Sequence, residues 1–428
     1  MKRCAAVLVP AALPANALAA IVSRASSMSN QFQQSSARPN WAVPYSASVL
    51  PAGVRSRFVE NGNGAVMHTL EAGFETRGRP GVLLLHGFPE LAYSWRKVLP
   101  RLAAAGYYAF APDMRGYGRT TGWDVKYDDD LGPYRALNHT RDMLGLVSAF
   151  GYRSLAAVVG HDAGSGVAGW CAIVRPDVFR SVVMMSSPFG GPPALPFGTA
   201  DAPPPTRSSS VTEPDIYEQL AKLNPPRKQY GRYYSTRQAA EDMRNPPQGM
   251  HAFLRAYFHM KSADWKENKP FRLKERSATE LAKLPPYYMM DLNKTMPQTV
   301  AEHMPSAAET AANKWLTEDE LRVYSTEYSR TGFQGGLQVY RGGSGGSNES
   351  LLFAGRTIDQ PSMFISGKSD WGVFQGPGAL ERMQTIVCTK MVATHLLDGA
   401  GHWADQEQPE HVSKLIVEFL QQNEQRRS

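Results

Sequence analysis

Short continuous runs of apolar residues, each bounded by Gly, Pro or Asp, recur along this chain. They are GVLLLHG (81–87), YYAFAPD (107–113), SLAAVVG (154–160), SVVMMSS (181–187), PSMFISG (361–367) and KMVATHLLDG (390–399). Strands buried on both faces of a sheet read this way, because neither face has to meet water. Between them, SWRKVLPRLAAAG (94–106) and GVAGWCAIVRPDVF (166–179) carry apolar positions at helical spacing. Ahead of them, RSRFVENGNGAVMHTL (55–70) has two strand-like runs around NGNG, a hairpin signal. The alternation predicts an α/β fold: a mostly parallel sheet with helices on both faces.

One interval breaks the rhythm. Residues 190 to about 357 offer no strand candidate, but they contain amphipathic helical stretches: MHAFLRAYFHM (250–260), ETAANKWL (309–316) and EDELRVYSTEYSRT (318–331). PFGTADAPPPTRSSS (196–210) and RGGSGGSNES (341–350) read as loops from their Pro, Gly and Ser content. The expected organisation is a leader at 1–40, a first part of the sheet domain at 41–189, an inserted helical lid at 190–357 and the rest of the sheet domain at 358–428.

The first 20 residues carry two basic residues, an apolar run and small residues at the end, the layout of an export signal; the Ser-rich, acid-free continuation equally suits organelle import. A start at Met28 would leave the protein in the cytoplasm. Composition narrows the function classes. The chain has 428 residues, 42% hydrophobic, and a formal charge of +7. The first 40 residues hold four positive charges, Lys2, Arg3, Arg24 and Arg38, and no acid, so the excess belongs mainly to the leader. No dense Lys/Arg run follows, which argues against nucleic acid as a partner. No apolar run beyond the leader reaches the roughly 20 residues needed to span a bilayer. Cys4, Cys171 and Cys388 offer no disulfide framework and no zinc spacing, so neither metal nor cofactor is expected. Nothing in the sequence decides against a homodimer.

In a parallel sheet, functional residues collect in loops at the carboxyl ends of the strands. Three such loops carry titratable groups: Asp162 after VVGH, Asp370 after MFISGKS and His402 after LLDGAG. Gly160-His161-Asp162-Ala163-Gly164 has the form of a nucleophile elbow, and nucleophile, acid, histidine is the chain order of the α/β-hydrolase fold. The plainer reading of Asp162 is a helix cap. The elbow glycines and the two further loops in order favour catalysis. Ser165 lacks the first glycine of GxSxG and falls inside the helix. Asp370 is the preferred acid because the loop after SVVMMSS offers only SPFGG. Its role would be to fix the tautomer of His402.

HGFPE (86–90), APDMRGYG (111–118), GHDAGS (160–165), TGFQGGLQVYR (331–341) and GAGHWADQEQPE (399–410), in that order, resemble the soluble epoxide hydrolases of the α/β-hydrolase superfamily. The resemblance runs from about residue 41 to the C-terminus. It implies an oxyanion hole from the backbone N–H groups of Phe88 and Ala163. It also implies two lid tyrosines that hold the epoxide oxygen. One falls on Tyr340; the other falls on Tyr230 in QYGRYYSTRQAAED, with Tyr233 and Tyr234 as competitors.

An aspartate suits that chemistry. A carboxylate is ionised at neutral pH without a base and can attack an sp3 carbon in line with a breaking C–O bond. The resemblance therefore implies an epoxide and water as partners, an ester on Asp162, and His402 activating the water that hydrolyses it to a diol. Haloalkane dehalogenases share the Asp nucleophile, but generally carry Trp after it and Asn or Trp after HG, where this chain has Ala163 and Phe88. Fluoroacetate dehalogenases carry Arg where Ala163 stands. A hydrolase-fold protein that binds a ligand without turnover would not need the triad and both tyrosines.

Overall fold

The apolar runs do become strands: β1 (Val54–Glu60), β2 (Val66–Ala72), β3 (Gly81–Leu85), β4 (Tyr108–Pro112), β5 (Ala157–His161), β6 (Val182–Met185), β9 (Ser362–Gly367) and β10 (Met391–Leu397). They form one eight-stranded sheet in the order β1-β2-β4-β3-β5-β6-β9-β10. The hairpin β1–β2 and the β2–β4 pair are antiparallel, and every other pairing is parallel. Every residue of β3, β5, β6 and β9 is buried, so both faces of the central sheet are covered. β10 departs from the expectation: six of its seven residues are only partly buried. It is the last strand of the sheet, so one edge has no neighbour in it, and the polar Thr394 and His395 tolerate that position.

This structure is a computed structural model that describes residues 42–123, 126–193, 215–342 and 348–426, without the side chain of residue 348. The leader with Cys4 and Met28, the PFGTADAPPPTRSSS segment and residues 343–347 of the Gly/Ser loop lie outside the described residues. The chain divides after Val43, and Pro44–Ser428 forms one compact unit. No helix among the described residues is long and apolar enough to cross a membrane. Cys171 and Cys388 are buried free thiols.

The helical stretches differ from the sequence reading in detail. SWRKVLPRLAAAG splits into a 3-10 turn (Ala92–Lys97) and a helix (Leu99–Ala104) with Pro100 in its first turn, where a missing N–H does no harm. The helix Ala163–Val174 stops ahead of Arg175-Pro176, because a residue before proline is pushed out of helical geometry.

Between β6 and β9 the described residues include the predicted helices Met250–Lys261 and Glu318–Thr331. The helix expected over ETAANKWL covers only Ala307–Ala312. The Asn313 side chain accepts the Leu316 N–H at 2.8 Å and Trp315 donates to Asp264 at 2.8 Å, which turns the chain before Thr317 starts the next helix with a capping box. The expectation that this interval has no strand is also corrected: β7 (Arg227–Gln229) pairs antiparallel with β8 (Met289–Asp291). Arg-Lys-Gln shows no apolar alternation, and its extended form is held by a partner some 60 residues away.

Candidate active site

The elbow after β5 is sterically demanding. Asp162 takes φ 51° and ψ −116°, a conformation that costs a non-glycine residue on the order of 1–3 kcal/mol. A Cβ on Gly160 would lie 2.0 Å from the Gly164 carbonyl oxygen, one on Gly164 would lie 2.5 Å from that of Leu85, and one on Gly87 would lie 2.4 Å from the Asp162 Cβ. Only glycine lets the turn pack so closely against the HGFPE segment. Asp162 occupies the N-cap position, yet its side chain makes no capping bond. Oδ1 instead accepts the Phe88 N–H at 3.1 Å, and Oδ2 lies 3.4 Å from His402 Nε2. The helix-cap reading therefore fails. Ser165 is buried and donates to the Ser187 carbonyl at 2.7 Å, away from any nucleophilic role.

The loops after β9 and β10 bring Asp370 and His402 together as expected, with Nδ1 3.0 Å from Asp370 Oδ1. Asp370 also accepts Ser186 Oγ (2.6 Å), Ser366 Oγ (2.8 Å) and the Gly372 N–H (2.7 Å). Ser186 was missed from sequence. It stands in the loop after β6 at φ 66°, and its Oγ is also 2.7 Å from His402 Nδ1. Burial pushes the Asp370 carboxyl up, but His402, Ser186 and the Gly372 N–H outweigh it and hold Asp370 below the usual range. Asp370 thus holds the His402 ring with Nδ1 toward itself and Nε2 toward Asp162. Burial also opposes ionisation of Asp162, and His402, Lys261 and His161 overcome it, holding the carboxyl well below the usual carboxylate range.

A second polar layer supports these loops. His161 Nδ1 is 2.5 Å from Glu90 Oε2 and its Nε2 is 2.7 Å from the His402 carbonyl. Both partners are acceptors, so both ring nitrogens donate and His161 is an imidazolium. Burial opposes that charge, but Glu90 first and then Asp405 push it up to about 10. Glu90 also accepts the Gly87 N–H (3.0 Å) and Gln406 Nε2 (3.0 Å), tying the HGFPE turn to the segment after His402.

The tyrosines come from the interval between β6 and β9. Tyr340 lies on the helix Gln334–Gly342 and Tyr230 opens the helix Tyr230–Tyr234. Their rings are 5.9 Å apart, and both line a cavity of about 840 Å³ together with Asp162, Ala163 and Gln375. The competitors are otherwise engaged: Tyr233 donates to Asp242 at 2.7 Å and Tyr234 to the Tyr257 hydroxyl at 3.2 Å. Burial, together with the nearby Asp162 carboxylate, raises both Tyr230 and Tyr340 well above the usual phenol range, so both remain proton donors. Phe88 packs its ring 5.7 Å from Tyr340, and Ala163 begins the elbow helix on the cavity wall.

Residues 80–405 match the family model described as alpha/beta hydrolase fold. The chain is 30% identical to Epoxide hydrolase B of Mycobacterium tuberculosis over 84% of this chain and 96% of that protein. It is also 30% identical to an epoxide hydrolase of Caballeronia sordidicola, over 84% of this chain and 91% of that one. Among solved structures it is similar to an epoxide hydrolase from an endophytic Streptomyces, with TM-score 0.66 and 30% identity over 87% of this chain and 96% of the other. On the fold, the site geometry and these likenesses, the chain belongs to the epoxide hydrolase family of α/β-hydrolase-fold enzymes.

Proposed function

We propose that this protein opens an epoxide to a vicinal diol through a covalent ester on Asp162. The observation that carries the reading is the cavity in which two proton-donating tyrosines, Tyr230 and Tyr340, share a wall with an ionised aspartate. Asp162 attacks an oxirane carbon while the tyrosine hydroxyls hold the oxygen and supply the proton to the departing alkoxide. The bond formed is Asp162 O–C and the bond broken is the ring C–O. His402 Nε2 then takes a proton from water, which adds to the ester carbonyl carbon, with the oxyanion held by the Phe88 and Ala163 N–H groups. The ester C–O bond at the carboxyl carbon breaks and the diol oxygen takes its proton from His402; the second proton of the water, left on the Asp162 carboxyl, returns to the tyrosinate, so that both Asp162 and the tyrosine are restored. Asp370, fixed by Ser186, Ser366 and Gly372, stabilises the imidazolium that forms. The interval between β6 and β9 acts as a lid that carries the two acids. Substrate and water are the only reactants this scheme requires.

A single turnover in 18O-water with enzyme in excess tests the ester. The first diol should carry unlabelled oxygen from Asp162, with label entering on later turnovers. Full labelling in the first turnover would mean direct attack by water.

The depressed ionisation of Asp162 has a readable sign. A carboxyl held below its ordinary range stays charged as the pH falls, so ester formation should be undiminished at about pH 4, where an ordinary aspartate is roughly half protonated. Rapid-mixing kinetics of the first step at acid pH would read this directly. A rate halved near that pH would show Asp162 titrating as an ordinary side chain.

A further inference from the structure

Lys261, the last residue of the helix Met250–Lys261, is 3% exposed. Its Nζ stands over four aromatic rings, at 5.1 Å from Tyr288, 5.3 Å from Trp403, 5.6 Å from Tyr257 and 6.0 Å from Tyr287. An ammonium has three N–H donors and needs acceptors once removed from water. Among the described residues Lys261 Nζ makes no hydrogen bond and no ion pair; only ring faces meet it. Beside it the Tyr288 hydroxyl is buried and also lacks a partner. Two buried donor groups thus lie together with no acceptor of their own.

Their place in the fold ties them to the reaction centre. Trp403, under the ammonium, stacks edge-on at 4.5 Å against the His402 ring, and the Lys261 carbonyl accepts the His402 N–H at 2.8 Å. The Tyr288 ring is 5.0 Å from that of Tyr230, which lines the cavity with Asp162. Charge narrows what the donors would take. Asp162, Asp370 and Glu90 act on Lys261 as negative neighbours, whereas His161 and Lys261 are the matching cations of the cluster. The balance is already negative, and Asp405, buried beside Glu90, can only add to it. A carboxylate entering here would be repelled; a neutral oxygen acceptor would satisfy the donors without adding charge.

We propose that Lys261 and Tyr288 form a subsite for a neutral oxygen acceptor of the substrate, so that the preferred epoxide carries a carbonyl group a few bonds from the oxirane. The proposal rests on the epoxide reading of the Asp162 cavity, and its specificity would come from donors left unpaired when the acceptor is missing.

Three near-isosteric substrates test it: 6,7-epoxyheptanamide, 1,2-epoxyoctane and 6,7-epoxyheptanoate. The wild type should favour the amide over the carboxylate in kcat/KM. In Lys261→Met the amide-to-alkane ratio of kcat/KM should fall at least about tenfold, and in Tyr288→Phe at least about threefold, because each removes a donor that only the carbonyl uses. The ratio cancels any general loss that either variant suffers. A ratio that moves less than about twofold in Lys261→Met, or a wild type that prefers the carboxylate, overturns the proposal. Calorimetric binding of unreactive heptanamide separates this from the epoxide reading: it should weaken about tenfold in Lys261→Met even if no epoxide is turned over, and equal affinity in the two proteins overturns the subsite.

Discussion

His402→Gln should halt the reaction half-way, leaving substrate attached to the protein. The first step needs the Asp162 carboxylate, which is ionised without help from a base, so ester formation should persist in this variant. The second step needs a proton acceptor for water, and glutamine has none. Loss of a positioned general base typically costs about 10²–10⁴-fold, so ester hydrolysis should become the slow step by that margin. Intact-protein mass should rise by the mass of the epoxide and remain there for minutes to hours. Asp162→Asn, lacking the nucleophile, should show neither adduct nor more than about a thousandth of the diol. Should His402→Gln turn over normally, the base lies elsewhere, and the 3.4 Å approach of Nε2 to Asp162 would have to be structural.

How far this site was legible in the sequence depended on whether a residue's signal is local. The elbow announces itself because Gly160 and Gly164 must be glycine for backbone to pass 2.0–2.5 Å from where a Cβ would stand, and a strained turn leaves its small residues in the sequence. Strands β3, β5, β6 and β9 were visible because burial on both faces writes an unbroken apolar run. Asp370 and His402 followed from chain order alone. Ser186 did not, since a serine after a strand is unremarkable until folding brings it to Asp370 and His402, 184 and 216 residues away. Lys261 reads in sequence as an ordinary solvated residue at a helix end. Its burial depends on Tyr287 and Tyr288, 26 and 27 residues on, and on Trp403, 142 residues on, which folding brings around it beside Tyr257. The β7–β8 ribbon stayed hidden for the same reason: its cause is a partner, and neither strand has a pattern of its own.

The tyrosines should carry the next largest effect, confined to the first half of the reaction. As the oxirane opens, its oxygen gains nearly a full negative charge, and a preorganised donor at a developing oxyanion is worth about 2 kcal/mol or more. Tyr340→Phe should therefore slow ester formation by roughly ten- to a hundredfold. It should also weaken substrate binding, because the hydroxyl meets the ground-state oxygen too. Tyr230→Phe should act alike: of Tyr230, Tyr233 and Tyr234, it is Tyr230 that lines the cavity with Asp162, and among the described residues its hydroxyl has only a long 3.5 Å contact to Gln375 that a substrate oxygen can displace. With both hydroxyls gone no acid remains for the alkoxide, and opening should nearly cease. Hydrolysis of an ester already formed should change little, since it depends on His402 and the backbone donors of Phe88 and Ala163. Pre-steady-state mixing resolves the two steps. An unchanged first step in Tyr230→Phe would move its role to Tyr234, whose ring lies 5.0 Å from Tyr340 and whose hydroxyl would have to leave Tyr257. An unchanged first step in Tyr340→Phe would remove the electrophilic half of the mechanism, and with it the reason to choose an epoxide over any other substrate of an aspartate nucleophile.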